Sequence, residues 1–133
     1  MEYLLDTNTC IYIIKQKPIK VLQKFEGLAI GSVALSTITL AELNFGVMKS
    51  SDPAKNRVAL DKFLTPLDIL AFDYSATIEY GKIRADPEKN GKPIGPLDTL
   101  IASHAKSLNS TLVTNNEKEF ARVPDLNIEN WTK

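Results

Sequence analysis

Four acidic residues stand at positions where the fold alone does not require a carboxylate. Asp6 and Glu119 follow predicted strands, whereas Glu42 and Asp98 lie in predicted helices. Carboxylates that are brought together repel one another, and one of them resists ionisation unless a cation lies between them. Oxygen donors without a cluster of Cys or His favour a hard ion, Mg²⁺ or Mn²⁺, together with water and a substrate phosphate. The pattern therefore favours chemistry on phosphate groups.

Each candidate residue also has a purely structural explanation. Asp6 is equally well placed to cap the helix that follows it, and the helix dipole favours a carboxylate such as Asp98 in a first turn. Glu119 is typical of a solvated first turn, and Asn116 of a turn or cap. Glu42 is the hardest to explain in this way, because it lies in an apolar stretch of its helix. The residues alone leave both interpretations open.

Strands and helices alternate along the chain. Short apolar runs predict strands, and runs with helical spacing between caps, Pro and Gly predict helices. The predicted strands are residues 3–5, 33–35, 67–72, 111–113 and, more weakly, 127–129. The predicted helices are two short ones around Pro18, a helical hairpin over 37–65, one capped by Ser75 and one that begins at Pro96. This alternation predicts an α/β fold in which a parallel sheet has helices on both faces.

Two predicted strands end in polar tripeptides, Asp6-Thr7-Asn8 and Thr114-Asn115-Asn116. In parallel sheets the functional crevice lies beyond the carboxyl ends of the strands, so we expect the chemistry at this edge. Thr7 and Thr114 are either hydroxyls that orient the carboxylates or ordinary residues at strand ends. Lys89 and Lys92, in the loop before the helix of Asp98, are either contacts for an RNA backbone or solubilising charges.

The composition is that of an ordinary globular protein. Of 133 residues, 44% are hydrophobic and 24% are charged, so we expect one domain over residues 1–133. The 16 Lys and Arg balance 16 Asp and Glu, so any nucleic-acid site must be local. The single cysteine, Cys10, fits a reducing compartment. The single histidine, His104, lies six positions beyond Asp98, so we expect a ring packed at the surface of its helix in preference to a catalytic base. The chain lacks an apolar run of about 18 residues and a basic start, so we expect a cytoplasmic protein that neither is secreted nor enters a membrane.

Four segments in the same order resemble PIN-domain ribonucleases and, more narrowly, the VapC toxins of bacterial toxin–antitoxin pairs. The segments are Leu4-Leu5-Asp6-Thr7-Asn8, Ser36 to Leu43 with Gly46, Pro93 to Asp98 with Ile101-Ala102, and Leu112 to Asn116 continuing to Glu119-Phe120. The resemblance extends over nearly the whole chain, as far as Ile128 to Trp131. It implies a PIN-like three-layer α/β/α sandwich around a short parallel sheet.

The resemblance also implies a Mg²⁺-dependent endoribonuclease, with Mn²⁺ as an alternative ion. Asp6, Glu42 and Asp98 would form the core acidic set, in which Asp6 and Asp98 are the metal ligands. Asn116 stands where many members carry Asp, so either Asn116 or Glu119 would complete the site. The implied partners are an RNA substrate, with the anticodon stem-loop of initiator tRNA as one option, a VapB-type antitoxin on the apolar surface of the predicted helical hairpin, and a second copy in a homodimer.

Two other functions compete with this one. A phosphotransferase with Asp6 as covalent nucleophile would be expected to carry a second Asp two residues on, where this chain has Asn8. A catalytically degenerate PIN-fold module that only binds RNA or protein is disfavoured by the presence of Asp6, Glu42 and Asp98. The amide at Asn116 keeps this second alternative open.

Overall fold

Helices and strands alternate along the computed structural model, which describes residues 2–29, 31–86 and 94–133. Lys89 and Lys92 lie outside the described residues. The elements in chain order are β1 (Tyr3–Leu5), α1 (Thr7–Lys15), α2 (Ile19–Glu26), β2 (Val33–Ser36), α3 (Thr37–Lys49), α4 (Pro53–Leu64), β3 (Asp68–Leu70), α5 (Tyr74–Arg84), α6 (Pro96–Ser107), β4 (Thr111–Val113), α7 (Glu117–Phe120) and β5 (Ile128–Glu129). Across these ranges, none of the helices has the length and apolar character needed to span a membrane.

The five strands pair in parallel in the order β3-β2-β1-β4-β5. Leu5 at the end of β1 lies opposite Val113 at the end of β4. The next residue, Asp6, donates its backbone N–H to the carbonyl of Val113 at 3.0 Å. Thr114, which follows Val113, therefore leaves the sheet beside Asp6. The prediction of a parallel sheet with two adjacent polar strand ends is confirmed.

Apolar clusters cover both faces of the sheet. Neighbouring strand residues point to opposite faces, and Leu4 and Leu5 are both fully buried, one in each cluster. The cluster around Leu5 takes in residues of α1 to α4, and the cluster around Leu4 takes in residues of α6 and α7. Burial on both faces explains why the central strands β1, β2 and β4 are largely apolar runs without polar alternation. The result is the expected three-layer α/β/α arrangement.

Two predicted boundaries differ from the structure. The third strand is shorter than the predicted 67–72 and spans only Asp68–Leu70. Ser75 was expected to cap the next helix, but Asp73 does so by accepting a hydrogen bond from the backbone N–H of Ala76 at 3.1 Å. Asp is as good a cap as Ser and comes first along the chain, so α5 begins at Tyr74. The predicted hairpin over 37–65 is present as α3 and α4.

His104 is buried within the fold, whereas the sequence predicts a ring at the surface of its helix; Ser36 and Phe72 pack against it. Its Nδ1 lies 2.8 Å from the hydroxyl oxygen of Ser36, and its ring stands edge-on to Phe72 with centroids 5.5 Å apart. Burial lowers the pKa of His104, and the charge of Asp73 opposes this effect. The imidazole is therefore a neutral core group that links α6 to the end of β2.

Candidate active site

Asp6 caps a helix and places a buried carboxylate at the end of β1. Its Oδ1 accepts a hydrogen bond from the backbone N–H of Thr9 at 2.8 Å and so caps α1, while the residue is only 5% exposed. Burial raises the pKa of Asp6; hydrogen bonds from Thr114 and Thr9 lower it, and the charge of Glu42 raises it further. The carboxylate is thus costly to ionise unless a cation lies beside it.

Glu42 reaches the same edge of the sheet from α3. Ser36 ends β2 and caps α3, since its hydroxyl accepts a hydrogen bond from the backbone N–H of Ile38 at 3.1 Å. Glu42 lies in the second turn, and its Oε1 accepts a hydrogen bond from the hydroxyl of Thr7 at 2.8 Å. Because Thr7 directly follows Asp6, this contact ties α3 to the end of β1.

Asp98 lies in the first turn of α6, where burial and the charges of the other three acidic residues all raise its pKa. Burial is the largest of the effects that raise the pKa of Asp98 to about 6, followed by the charge of Glu119, a hydrogen bond to it, and the charges of Asp6 and Glu42. The pKa of Glu119 is lowered, chiefly by a hydrogen bond from the backbone of Gly95. Of the two carboxyl groups, Asp98 is therefore protonated first as the pH falls, and its protonated form donates a hydrogen bond to Glu119.

Neutral donors hold both carboxylate oxygens of Glu119. The backbone N–H of Gly95 donates to Oε1 at 2.7 Å, and the side-chain amide of Asn116 donates to Oε2 at 2.7 Å. The backbone N–H of Asn116 in turn donates to the hydroxyl of Thr114 at 2.9 Å. A Cβ atom at Gly95 would lie 3.7 Å from Glu119 Oε1 and 3.9 Å from Asp98 Oδ2. Glu119 thus joins the start of α6 to the end of β4.

Two contributors were not identified from the sequence. Thr9 donates to Asp6 through its backbone, and its hydroxyl donates to the carbonyl of Val113 at 3.2 Å. Its position three residues after a capping Asp is the signal that predicts the first bond. Gly95 carried no such signal, because it acts through a backbone N–H that nearly every residue has.

The carboxylate oxygens at this edge of the sheet are suitable ligands for a hard divalent cation. Within residues 2–29, 31–86 and 94–133, no group of three or more His, Cys, Asp or Glu side chains is close enough to share an ion. Mg²⁺ in proteins is commonly held by only one or two carboxylates, with water and substrate phosphate completing its six oxygens. Burial raises the pKa values of both Asp6 and Asp98, so a cation would favour their ionised forms. The residues present therefore fit a site of two carboxylates.

Comparisons with known proteins identify the family. The PIN domain family matches residues 3–126. The chain is 48% identical to Ribonuclease VapC2 of Rickettsia felis over the full length of both proteins, and 41% identical to the tRNA(fMet)-specific endonuclease VapC of Shigella flexneri over 99% of each. Its structure resembles a chain of VapBC2 from Rickettsia felis bound to a promoter DNA fragment, with a TM-score of 0.91, 47% identity, and coverage of 98% of this chain and 99% of that one. Nucleases of the PIN family use a divalent metal ion. The chain belongs to the PIN-domain family and, within it, to the VapC ribonucleases.

Proposed function

We propose that this chain is a Mg²⁺-dependent endoribonuclease toxin that hydrolyses RNA phosphodiester bonds and is neutralised by a VapB-type antitoxin. The observation that carries the proposal is a pair of contacts that converge at one edge of the sheet: Thr7, next to Asp6, donates to Glu42 at 2.8 Å, and Gly95, three residues before Asp98, donates to Glu119 at 2.7 Å. Burial raises the pKa of Asp98, and so do the charges of Glu119, Asp6 and Glu42. Four carboxyl groups from remote parts of the chain therefore share one edge of the sheet. In this proposal residues 1–133 form a single PIN domain, and Mn²⁺ can replace Mg²⁺.

Asp6 and Asp98 are the proposed metal ligands. When bound, the ion lowers the pKa of a water molecule, orients it towards the phosphorus, and stabilises the charge that develops on the phosphate oxygens. Glu42 accepts a hydrogen bond from the attacking water, and the hydroxyl of Thr7 fixes the orientation of its carboxylate. Thr114 donates to Asp6 and so favours the ionised form that binds a cation.

Asn116 and Glu119 complete the proposed site as a positioning pair. Both oxygens of Glu119 are already occupied by donors from Gly95 and Asn116, which supports a role in placing Asp98 and not in binding the ion. The amide of Asn116 can also accept a hydrogen bond from a water of the site. Asp6 and Asp98 therefore remain the two proposed ligands of the metal ion.

Relatives suggest the substrate and the partners. The VapC proteins of Shigella flexneri and Salmonella typhimurium, 41% and 42% identical to this chain, are named tRNA(fMet)-specific endonucleases, so we infer that initiator tRNA is cut, in its anticodon stem-loop. Complexes of VapB with VapC are among the similar solved structures, so we infer a VapB-type antitoxin. A VapC homodimer is proposed from the family resemblance alone. An apolar groove of about 290 Å³ between α1, α3 and α4, with Phe45, Met48 and Val58 exposed on the same helical hairpin, offers the antitoxin a surface.

End-mapping of cleaved tRNA(fMet) transcript tests the proposal. The purified chain should cut it when Mg²⁺ is present, leave 5′-phosphate and 3′-hydroxyl ends, and stop when EDTA is added. Asp6→Asn and Asp98→Asn should abolish cleavage, whereas Asp61→Asn, at an exposed position on α4, should not. Cleavage in excess EDTA would exclude the metal mechanism. A degenerate binding module would bind the RNA without cutting it and would not distinguish Asp6→Asn from the parent chain.

A further inference from the structure

Positive charge is concentrated in one short segment of the chain. The 16 cationic residues are balanced overall by 16 acidic ones, but four lysines fall within the ten residues 15–24, which include no Asp or Glu. These lysines are Lys15, Lys17, Lys20 and Lys24, and all four are exposed. A local basic surface on a neutral chain is what a polyanion would recognise.

Two of these lysines lie on α2 beside the carboxyl end of β5. The Nζ atom of Lys24 is 3.8 Å from Oε1 of Glu129, the last residue of that strand. Lys20 and Lys24 together line an open cavity of about 460 Å³. Its other walls are Gln23 and the residues at and after the end of β5, namely Glu129, Asn130, Trp131 and Lys133.

This cavity lies next to the end of β4, where Thr114 contacts Asp6. The backbone N–H of Thr114 donates to the carbonyl of Glu129 at 3.0 Å, and the side chain of Thr114 hydrogen-bonds Asp6. In the sheet, β4 separates β1 from β5, so Asp6 and Glu129 are two strand spacings apart, or about 10 Å. A nucleic-acid strand whose phosphate lies at Asp6 can therefore extend over α2 within a few nucleotides.

Lys20 and Lys24 are both available to bind a phosphate group. Lys20 has no carboxylate partner among the described residues. Lys24 and Glu129 form a long ion pair between side chains that are 49% and 38% exposed, and such pairs are weak. The same Glu129 oxygen already accepts a hydrogen bond from the indole N–H of Trp131 at 2.9 Å, so it keeps a donor when Lys24 moves away. Lys133 is less available, because it contacts Glu117 at 2.7 Å.

We propose that Lys20 and Lys24 bind the phosphate backbone of the RNA next to the cleavage site. This inference rests on the proposed ribonuclease function. A cluster of carboxylates repels the phosphates on either side of the bond that is cut, and nearby lysines offset that repulsion. Contacts of this kind are independent of base sequence, so they contribute affinity and leave the choice of target to other residues.

Salt-dependent binding of tRNA(fMet) transcript tests the inference. All variants are made in the Asp6→Asn background, so that the RNA stays intact. The dissociation constant is measured at several KCl concentrations from about 50 to about 300 mM, a range in which phosphate contacts are sensitive to salt. Replacing both lysines, Lys20→Gln with Lys24→Gln, should weaken binding about tenfold and reduce the slope of log K against log salt by about 1.4, or roughly 0.7 per contact. Lys20→Arg with Lys24→Arg should retain both values, and so should the matched pair Lys55→Gln with Lys62→Gln on α4.

The outcomes separate this inference from the proposed function. An unchanged affinity and slope for the Lys20→Gln, Lys24→Gln double variant would overturn the role of α2, even if the chain with Asp6 intact cuts the RNA. Equal losses in the α4 double variant would overturn it too, because they would show a general effect of charge. Failure of the chain with Asp6 intact to cut any RNA would instead count against the proposed function.

Discussion

Glu119 accepts a hydrogen bond from the backbone N–H of Gly95 at 2.7 Å, and this contact closes the gap between the end of β4 and the start of α6. Gly95 is the N-cap residue of α6, and Asp98 lies three residues further on. The position of the Asp98 carboxyl therefore depends on a side chain that follows the next strand. The second oxygen of Glu119 accepts a hydrogen bond from the side-chain amide of Asn116, so both carboxylate oxygens are held in place.

Glu119→Gln should retain activity within about threefold of the parent, whereas Glu119→Ala should lose at least tenfold. Gln keeps an oxygen for Gly95, and Asn116 can turn its amide so that its own oxygen accepts from the new NH₂ group. Ala removes both bonds and leaves the N–H of Gly95 without its partner. The measurement is the rate of RNA cleavage as a function of Mg²⁺ concentration.

The Mg²⁺ dependence distinguishes a positioning residue from a ligand. If Glu119 were a ligand, Glu119→Gln would need much more Mg²⁺ for half-maximal activity, because a neutral amide is a poorer donor than a carboxylate. That result would contradict the positioning role. A Mg²⁺ requirement in Glu119→Gln close to that of the parent would support it.

Asp98→Asn should unfold at a higher temperature than the parent in EDTA at pH 7.5. The pKa of Asp98 is about 6 in the folded chain, above the usual value for Asp, so the stability that its protonated form contributes is present at pH 4 and lost as pH rises through 6. The amide cannot ionise and escapes this loss. For a half-exposed group we expect a gain of about 1 kcal/mol above pH 7. Thermal denaturation from pH 4 to 8 should show the two curves converging at the acid end, and a less stable Asp98→Asn at pH 7.5 would contradict the prediction.

Thr114→Val should raise the Mg²⁺ concentration needed for half-maximal cleavage by about tenfold, as is common when a residue that orients a metal ligand is removed. The fully buried hydroxyl of Thr114 lowers the pKa of Asp6 by hydrogen bonding, and Val removes it at almost constant volume. Thr114→Ser keeps the hydroxyl and should behave like the parent. Equal Mg²⁺ requirements in the Val and Ser variants would show that the hydroxyl plays no part in metal binding.

Ser36→Ala should lower the free energy of unfolding by about 2 kcal/mol, the sum of a lost helix cap and a buried ring nitrogen without its partner. Ser36 is fully buried, caps α3 and contacts His104. Ser32→Ala removes an exposed hydroxyl that donates to the carbonyl of Ala29, and it should cost far less. Urea denaturation measures both variants, and equal midpoints would show that the Ser36 contacts contribute little.

Much of the fold could be predicted because its signals are local. The runs at residues 3–5 and 111–113 each have two aliphatic residues after the first position, and each is followed directly by polar residues. Such runs predict strands that are buried on both faces, and parallel pairing then brings their ends together. The adjacency of Asp6 and Thr114 follows from this reasoning without any knowledge of contacts.

The finer arrangement of the site could not be predicted, because it depends on contacts between distant residues. Glu119 looks like a solvated residue in the short helix α7, and only the folded chain brings Gly95, 24 residues earlier, to its carboxylate. The contact between Thr7 and Glu42 likewise spans 35 residues. Lys24 showed no link to the site in the sequence, since its nearest carboxylate, Glu129, lies at the other end of the chain.

The strand order also determines when, during synthesis, the four carboxylates can come together. β1 pairs on one side with β2 and on the other with β4, so the edge of the sheet at Asp6 is completed by residues 98–119, which come much later in the chain. A ribosome-bound nascent chain displays Asp6 and Glu42 before Asp98, Asn116 and Glu119 have been synthesised. A translation product that ends before Glu119 therefore cannot bring the four carboxylates together.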